Sequence, residues 1–180
     1  MTNYELPTAI LFDMDDTIIA YDVVASDVWR IVCDRFAREL QGIHPNELLS
    51  AVQEHRIWYW GHPERHRRGR LNMNLAMYEV VSGAFYRLGI DAPDLAREMA
   101  DFFSVERDAQ VCPFPGAIDT IRTLRDKGVR LALITNGEAK GQRKKIDRHG
   151  LAQLFNHILI EGEFGLGKPD EIARAAVFLA

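Results

Sequence analysis

The chain has 180 residues, of which 47% are apolar and 27% charged, and these fractions are typical of a globular protein. Its formal net charge of −4 supplies no basic field for nucleic acid, which argues against a nucleic-acid-binding protein. Only a very short apolar run follows Glu5 and Pro7, so the N-terminus predicts neither a signal peptide nor a membrane span, and the two widely separated cysteines favour a cytoplasmic location.

The first predicted element is the strand Ala9–Phe12, an unbroken apolar run of the kind found in central strands covered on both faces. Asp13 and Asp15 follow it directly. Because alternate residues of an extended chain point the same way, both carboxylates could face one site at the carboxyl end of the strand. Such a pair can divide acid and base roles or attract a hard cation such as Mg²⁺. The alternative is an acidic turn or helix cap.

The stretch from residue 20 to residue 110 has helix-like patterns and no convincing strand. Helices are predicted at roughly 22–41, 45–60, 71–88 and 93–107. The sequence "CPFPG" at 112–116 then predicts a rigid return to a different kind of structure. We therefore expect an all-helical domain, residues 20–110, inserted into a core made of residues 1–19 and 111–180.

An aromatic and basic stretch, "RIWYWGHPERHRRGRLNMN", stands out within this insertion. The pattern fits a packed helix end followed by a solvated basic loop. Alternatively, arginines of this loop bind an anionic or planar substrate, and Arg67 and Arg70 are the candidates. A few arginines in one loop of an acidic chain are thin support for nucleic-acid binding.

Helical and strand patterns alternate from residue 116 onward. "GAIDTIRTLRDKG" predicts a helix before the strand Val129–Thr135, and "EAKGQRKKIDRHG" predicts a second helix before the strand His157–Glu161. A third helix is expected to begin near Pro169. This alternation implies parallel strands joined by right-handed crossovers, so the predicted fold class is α/β with an open parallel sheet.

Polar residues follow the second and third of these strands. Thr135, Asn136 and Gly137 place a hydroxyl and free backbone N–H groups at a strand end that opens a helix, which predicts an anion site; ordinary turn chemistry is the alternative. Lys168 lies in "GLGKPD" after the third strand, where a solvated surface lysine is the usual finding. Since each group follows a separate parallel strand, the aspartates, Thr135 and Lys168 could all converge on one edge of the sheet.

The segment Gly162–Lys168 also fits the spacing of a phosphate-binding P-loop, between a predicted strand and a predicted helix. Pro169 stands where that motif requires serine or threonine, and proline removes a backbone N–H from the phosphate cradle. A nucleotide-binding protein is therefore a minor alternative.

The segments "FDMDDT", "LITNG" and "GLGKPD", in this order and with a helical insertion after the first, resemble the haloacid dehalogenase superfamily of hydrolases. The resemblance covers almost the whole chain and implies a Rossmann-like, three-layer α/β/α core with an inserted helical cap. Asp15 makes the chain similar to the phosphatase branch, because the dehalogenases lack an aspartate two residues after the nucleophile. The implied function is Mg²⁺-dependent hydrolysis of a small phosphate ester, with no nucleic-acid or membrane partner.

Carried over residue by residue, the resemblance implies that Asp13 is the nucleophile and forms an aspartyl-phosphate. Asp15 would protonate the leaving oxygen and later activate water. Thr135, with backbone help from Asn136, would hold the transferring phosphoryl group, and Lys168 would offset negative charge. The Asp13 carboxylate and the Asp15 backbone carbonyl would hold Mg²⁺.

One part of the family pattern is not found. An acidic pair that completes the magnesium shell should follow the last helix, but only Asp170 and Glu171 lie beyond Lys168, at the predicted helix start. We therefore expect that the 180 residues belong to a longer protein, or that an oligomer covers the edge of the first strand, and that the chain binds Mg²⁺ weakly. A catalytically impaired binding or regulatory protein on the same fold is the remaining alternative.

Overall fold

A computed structural model describes residues 5–40 and 42–169 of the chain. Contacts divide it into two compact units, one formed by the residues up to Tyr21 and from Cys112 onward, the other by Asp22–Val111. Within the described part of the chain, no helix combines the length and apolar character that crossing a membrane requires.

The strands and helices follow one another in a mixed α/β order. In chain order they are β1 (Ala9–Phe12), β2 (Ile19–Ala20), α1 (Asp22–Phe36), α2 (Pro45–Trp60), α3 (Pro63–Leu71), α4 (Met73–Arg87), α5 (Pro93–Gln110), β3 (Cys112–Pro113), α6 (Ala117–Asp126), β4 (Arg130–Thr135), α7 (Ala139–Arg148), β5 (His157–Ile160) and α8 (Glu161–Phe164). A short 3₁₀ turn at Ala152–Leu154 precedes β5. The helix predicted to begin near Pro169 lies outside the described residues.

The first unit is built on a parallel sheet with the strand order β1–β4–β5. The α/β class with parallel strands is therefore confirmed. β4 lies between its two neighbours and is buried from Leu131 to Thr135, as an unbroken apolar strand should be. Within the described residues β1 pairs only with β4 and Leu11 is exposed, so β1 is an edge strand there and not the central, covered strand that its apolar run suggests. An uncovered edge of the first strand is the expectation stated above for these 180 residues.

Two short features of this unit have no strong sequence pattern. β2 and β3 pair antiparallel, Ile19 opposite Pro113 and Ala20 opposite Cys112, where the chain leaves and re-enters the first unit. The predicted strand His157–Glu161 ends one residue early, because Glu161 begins the short helix α8. Helices α6 and α7 bury Ile121 and Ile146, respectively, on their apolar faces.

The second unit consists of helices α1 to α5 around its own apolar core. Trp29 of α1 stacks on Phe103 of α5, with ring centroids 3.8 Å apart and planes 13° from parallel. Both side chains are buried, and burial of an aromatic of this size stabilises the fold by roughly 2–3 kcal/mol. Their stacking fastens the first helix of the insertion to its last.

Helix α3 corrects the sequence prediction, which placed a solvated basic loop there. Pro63 is the first residue of the helix, a position that suits proline. Asn72 separates α3 from α4 and caps α4, since the Leu75 N–H donates to the Asn72 side chain at 3.2 Å. Gly69 lets α3 approach α2, since a Cβ at that position would lie 2.8 Å from the Tyr59 ring. Without apolar periodicity, this helix is stabilised by packing against α2 and not by a hydrophobic stripe.

Candidate active site

Asp13 and Asp15 come directly after β1, at the carboxyl end of the sheet. Met14 between them is fully buried, whereas both aspartates are partly exposed, which matches the alternation expected of an extended chain. The Met14 N–H donates to Asp13 Oδ1 at 2.7 Å, and the Met14 carbonyl accepts from the Ile18 and Ile19 N–H groups at 2.9 Å. The buried methionine thus fixes the backbone that presents the two carboxylates.

The third aspartate of this segment has a different role. Asp16 has a backbone φ of 57°, a left-handed conformation that aspartate tolerates better than most residues. Its N–H donates to the Ile19 carbonyl at 2.7 Å, and its Oδ1 accepts from the Tyr21 N–H at 2.9 Å. Asp16 therefore closes the turn after Asp15.

Lys168 forms an ion pair with Asp13, with 2.5 Å between Lys168 Nζ and Asp13 Oδ2. Asn136, which follows β4, holds the lysine in place through its side chain: the Lys168 N–H donates to Asn136 Oδ1 at 2.7 Å, and Asn136 Nδ2 donates to the Lys168 carbonyl at 3.4 Å. The Asp13 side chain remains 42% exposed, so a ligand can reach it. The predicted convergence of Asp13 and Lys168 is present in the structure.

Asp15 contacts a different cation, which the sequence analysis missed. Lys145 of α7 places Nζ 2.6 Å from both carboxylate oxygens of Asp15. Gln142, also on α7, donates from Nε2 to Asp15 Oδ2 at 3.1 Å and to Thr135 Oγ1 at 2.6 Å. The structure thereby links Asp15 to Thr135, two of the predicted site residues, through Gln142.

The Gly137 N–H corrects the predicted anion site. It donates to Glu161 Oε2 at 3.0 Å, and the Glu161 carboxylate is buried, so this N–H group is used inside the fold and is not free for a phosphate. Gly137 has a φ of 126°, and its carbonyl accepts from the Gly162 N–H at 2.9 Å. These bonds fasten the loop after β4 to the start of α8.

The same contacts contradict the P-loop alternative for Gly162–Lys168. A P-loop needs open glycine N–H groups, but residues Glu161–Phe164 form a helical turn. The Gly162 N–H is bonded to Gly137, and the Gly165 N–H donates to the Glu161 carbonyl at 2.8 Å. We therefore find no open phosphate cradle in this described segment.

Arg67 and Arg70 lie on α3, which belongs to the second unit, whereas the aspartates belong to the first. Arg67 is exposed, and Arg70 Nη1 lies 3.3 Å from His66 Nδ1. These observations identify no ligand, so the role of Arg67 and Arg70 in substrate binding stays a prediction.

The other two arginines of α3, Arg65 and Arg68, contact residues of the second unit. Arg65 lies over the Trp58 ring, 3.7 Å from its centroid, and donates to the Trp58 carbonyl at 2.6 Å. Arg68 donates to Glu79 at 2.7 Å, and the same carboxylate accepts the Tyr59 hydroxyl. Burial, together with the hydrogen bond to Glu79, raises the pKa of Tyr59. Arg65 and Arg68 therefore stabilise the packing of α2, α3 and α4.

A weak sequence signal for the missed residues does exist. Gln142 is four residues before the buried Ile146, so it lies on the buried face of a helix whose other residues are mostly charged. Lys145 is three residues after Gln142, so the two side chains are neighbours on the surface of helix α7. Gln142 is a polar residue on the apolar face of the helix that begins next to the predicted anion site. A polar residue in such a position is expected to have a hydrogen-bond partner inside the fold.

The donor set at Asp13 and Asp15 suits a hard cation. The Asp13 carboxylate and the Asp15 backbone carbonyl are oxygen donors, which Mg²⁺ prefers, and Mg²⁺ in proteins commonly takes one or two carboxylates with water and substrate phosphate. Among the described residues no group of three or more His, Cys, Asp and Glu side chains could hold a metal alone. The residues present fit a magnesium ion that keeps part of its water shell.

Comparisons with known proteins agree on one family. A family model for haloacid dehalogenase-like hydrolases matches residues 7–177. A phosphoserine phosphatase of Thermus thermophilus is 44% identical over 79 residues, which are 44% of this chain and 31% of that protein. A glyceraldehyde 3-phosphate phosphatase of Methanopyrus kandleri is 27% identical over 165 residues, which are 90% of this chain and 65% of that protein.

A solved structure with the same fold is that of the hydrolase YfnB of Bacillus subtilis bound to magnesium. It matches with a TM-score of 0.61 and 21% identity, over 88% of this chain and 65% of that one. The chain thus spans less than two thirds of the length of each of these relatives.

Proposed function

The chain belongs to the haloacid dehalogenase-like hydrolases, and we propose that it hydrolyses a small phosphate monoester with Asp13 as the nucleophile. The observation that carries the proposal is that two carboxylates of one short segment each pair with a lysine of their own, Asp13 with Lys168 and Asp15 with Lys145, at the carboxyl end of the sheet. Two carboxylates held close together can act as nucleophile and as acid, which is what this reaction needs. The phosphatase names of the relatives given above support the same choice.

In the proposed reaction, an Asp13 carboxylate oxygen attacks phosphorus and the bond from phosphorus to the leaving oxygen breaks. Asp15, protonated at this stage, gives its proton to the leaving oxygen. Asp15 then takes a proton from a water molecule that attacks the phosphorus, the bond between phosphorus and Asp13 breaks, and inorganic phosphate leaves. Lys168, 2.5 Å from Asp13, offsets the negative charge that gathers around the transferring group.

Thr135 is the proposed donor to the phosphoryl oxygens. It ends β4 next to Asp15, and the Gln142 amide bridges the two side chains. The Asn136 side chain holds the Lys168 backbone, and the backbone help of Asn136 to the phosphoryl group stays a prediction. In this proposal the nucleophile, the acid, the phosphoryl donor and the cation come from the ends of three parallel strands and the segments that follow them.

We propose Mg²⁺ as the cofactor, held by the Asp13 carboxylate and the Asp15 backbone carbonyl. When bound, it would neutralise phosphate charge and orient the ester. The magnesium named with the similar YfnB structure supports this choice. The second unit is the proposed substrate-selecting cap, with Arg67 and Arg70 as candidate ligands for an anionic group of the substrate.

The experiment is a Mg²⁺-dependent phosphate-release screen over phosphoserine, triose and sugar phosphates, nucleoside monophosphates and phosphoglycolate. We expect turnover of at least one ester that disappears when EDTA removes the metal and in Asp13→Asn. If the wild-type chain releases phosphate from none of them, the binding or regulatory alternative replaces this proposal.

A further inference from the structure

We propose that Gln142 and Lys145 on α7 are positioning residues, which hold the Asp15 carboxylate and the Thr135 hydroxyl in their working orientations. The inference deepens the proposed function and rests on it. It starts from a contact network that joins α7 to the loops after β1 and β4.

Lys145 holds the Asp15 carboxylate by both oxygens, at 2.6 Å each, which fixes the plane of the carboxylate. The Lys145 and Asp15 side chains are 18% and 27% exposed, so this pair is more enclosed than the pair of Lys168 with Asp13. Nζ also lies 4.9 Å from the centroid of the Tyr21 ring. A partly buried ion pair of this kind is screened less by salt than a surface pair. The Lys145 ammonium group contacts both the Asp15 carboxylate and the Tyr21 ring.

Gln142 determines which way the Thr135 hydroxyl donates. Its Nε2 lies 2.6 Å from Thr135 Oγ1, 2.7 Å from the Asn136 carbonyl and 3.1 Å from Asp15 Oδ2. The Asn136 carbonyl can only accept a hydrogen bond, so the glutamine must present its NH₂ group here. Thr135 Oγ1 then accepts from Gln142 and keeps its own hydrogen for donation.

The Thr135 hydroxyl has no strong acceptor for that hydrogen among the described residues. The acceptor in reach is the Asn136 carbonyl, at 3.5 Å, a distance at which a hydrogen bond is weak. A phosphoryl oxygen would be a better acceptor. Gln142 therefore prepares Thr135 as a donor to an anion.

Lys145 acts on the proton transfers. Asp15 becomes an anion when it gives its proton to the leaving oxygen, and it must be an anion again to accept a proton from water. The Lys145 ammonium group, 2.6 Å from both carboxylate oxygens, keeps those oxygens at one place for both proton transfers. Loss of Lys145 should therefore matter most for an ester whose leaving group needs the proton.

The first test compares two esters that differ in leaving group, phenyl phosphate and 4-nitrophenyl phosphate, with saturating Mg²⁺. We expect Lys145→Met to lower kcat/KM for phenyl phosphate about 10-fold or more and to lower that for 4-nitrophenyl phosphate much less, since the nitrophenolate leaves without help. Lys145→Arg should restore a large part of the loss. Lys140→Met removes the same charge from an exposed position of the same helix and should change neither value. An equal loss on both esters, or an equal effect of Lys140→Met, would overturn the role of Lys145.

The second test measures binding of inorganic phosphate by calorimetry and needs no turnover. We expect Gln142→Met to weaken phosphate binding several-fold, as Thr135→Val does. In the Thr135→Val background, Gln142→Met should have little further effect, because both changes remove the same oriented donor. Additive losses, or unchanged binding by Gln142→Met, would overturn the role of Gln142.

The two tests separate failure of this inference from failure of the proposed function. Wild-type turnover of either ester reports on the function, and the ratios among variants report on the inference. A wild-type chain that binds phosphate but hydrolyses neither these two esters nor any ester of the screen overturns the function and the role of Lys145, while calorimetry still decides the role of Gln142. A chain that does neither overturns all of them.

Discussion

At the scale of single residues, the repulsion between neighbouring aspartates is offset by cations from other parts of the chain. Asp13 and Asp15 pair with Lys168 and Lys145, which come from the loop after β5 and from α7. Asp16 instead closes a turn through its backbone and side chain. The aspartates of one short segment therefore have separate tasks, and only two of them are candidates for chemistry.

Substitution of adjacent aspartates should show this division of roles. Asp15→Asn keeps the size of the side chain but cannot carry the proton, so we expect kcat/KM for phenyl phosphate to fall about 10²–10⁴-fold. Asp16→Asn is the matched control, because asparagine also tolerates the left-handed conformation and its side-chain oxygen can accept from Tyr21. Steady-state kinetics on both variants test this. An equally large loss in Asp16→Asn would contradict the assignment.

The two cysteines should differ sharply in reactivity. Burial, aided by the nearby Asp34 carboxylate, raises the pKa of the Cys33 thiol to about 12, whereas Cys112 is exposed. The thiolate is the reactive form, so Cys33 should stay protonated and unreactive across the neutral range and well above it. Titration with a chromogenic disulfide at pH 8 should find one thiol in the folded protein and two after denaturation. Rapid labelling of Cys33 in the folded protein would show that it is accessible.

At the scale of elements, the site depends on how closely the start of α8 approaches the loop after β4. Gly162 has no side chain, and a Cβ there would lie 2.5 Å from the Ala139 backbone nitrogen and 2.9 Å from the Gly137 carbonyl oxygen. Backbone atoms on the other side cannot turn away as a flexible side chain can. The loop that carries Thr135 and Asn136 is therefore held by a glycine in another element.

Gly162→Ala should accordingly displace this loop. We expect a lower melting temperature together with a loss of activity of at least about 10-fold, because Thr135 and Lys168 would move from their positions. Gly141→Ala on α7 is the control, since its Cβ would meet only a side-chain oxygen of Glu138 at 4.0 Å and alanine favours the helix by up to about 1 kcal/mol. Calorimetric melting and kinetics on both variants decide. Unchanged melting and activity in Gly162→Ala would contradict the close approach.

Elements with a clear apolar pattern could be predicted from the sequence, and those without one could not. The β1 prediction agrees with the structure residue for residue, and the β4 prediction differs by one residue. The arginine-rich helix α3 has no apolar period, so its sequence predicts a loop. Contacts that form only in the folded chain, such as that of Gly69 with Tyr59, are not visible in the sequence. The proximity of Asp13 and Lys168 could be predicted because each residue follows a parallel strand of the same sheet. Lys145 contacts Asp15 from the surface of helix α7, and the order of the strands does not predict that contact.

At the scale of the whole molecule, the chain consists of a parallel-sheet unit with the candidate catalytic residues and a helical unit inserted between β2 and β3. The chain belongs to the haloacid dehalogenase-like hydrolases, and the paired carboxylates are the basis on which we propose phosphate esters as substrates. The identity of the ester is expected to depend on the helical unit, where the basic helix α3 lies.

The arginines of α3 should separate into structural and substrate-binding residues. Arg68→Ala removes the partner of Glu79 and should lower the melting temperature with little change in KM. Arg67→Ala and Arg70→Ala should raise KM several-fold for the best substrate of the screen and leave the melting temperature nearly unchanged. Kinetics and melting curves on the three variants check this. Unchanged KM in both Arg67→Ala and Arg70→Ala would remove these residues from the proposed substrate site.

The most direct test of the central claim is to look for a phosphate bound covalently to Asp13. The protein would be quenched with acid during turnover of 4-nitrophenyl phosphate in the presence of Mg²⁺, and its peptides analysed by mass spectrometry. We predict a phosphate adduct on the peptide that carries Asp13, absent from Asp13→Asn, with turnover in that variant lower by several orders of magnitude. Turnover in Asp13→Asn equal to that of the wild type, or a phosphate adduct on another residue, would contradict the account.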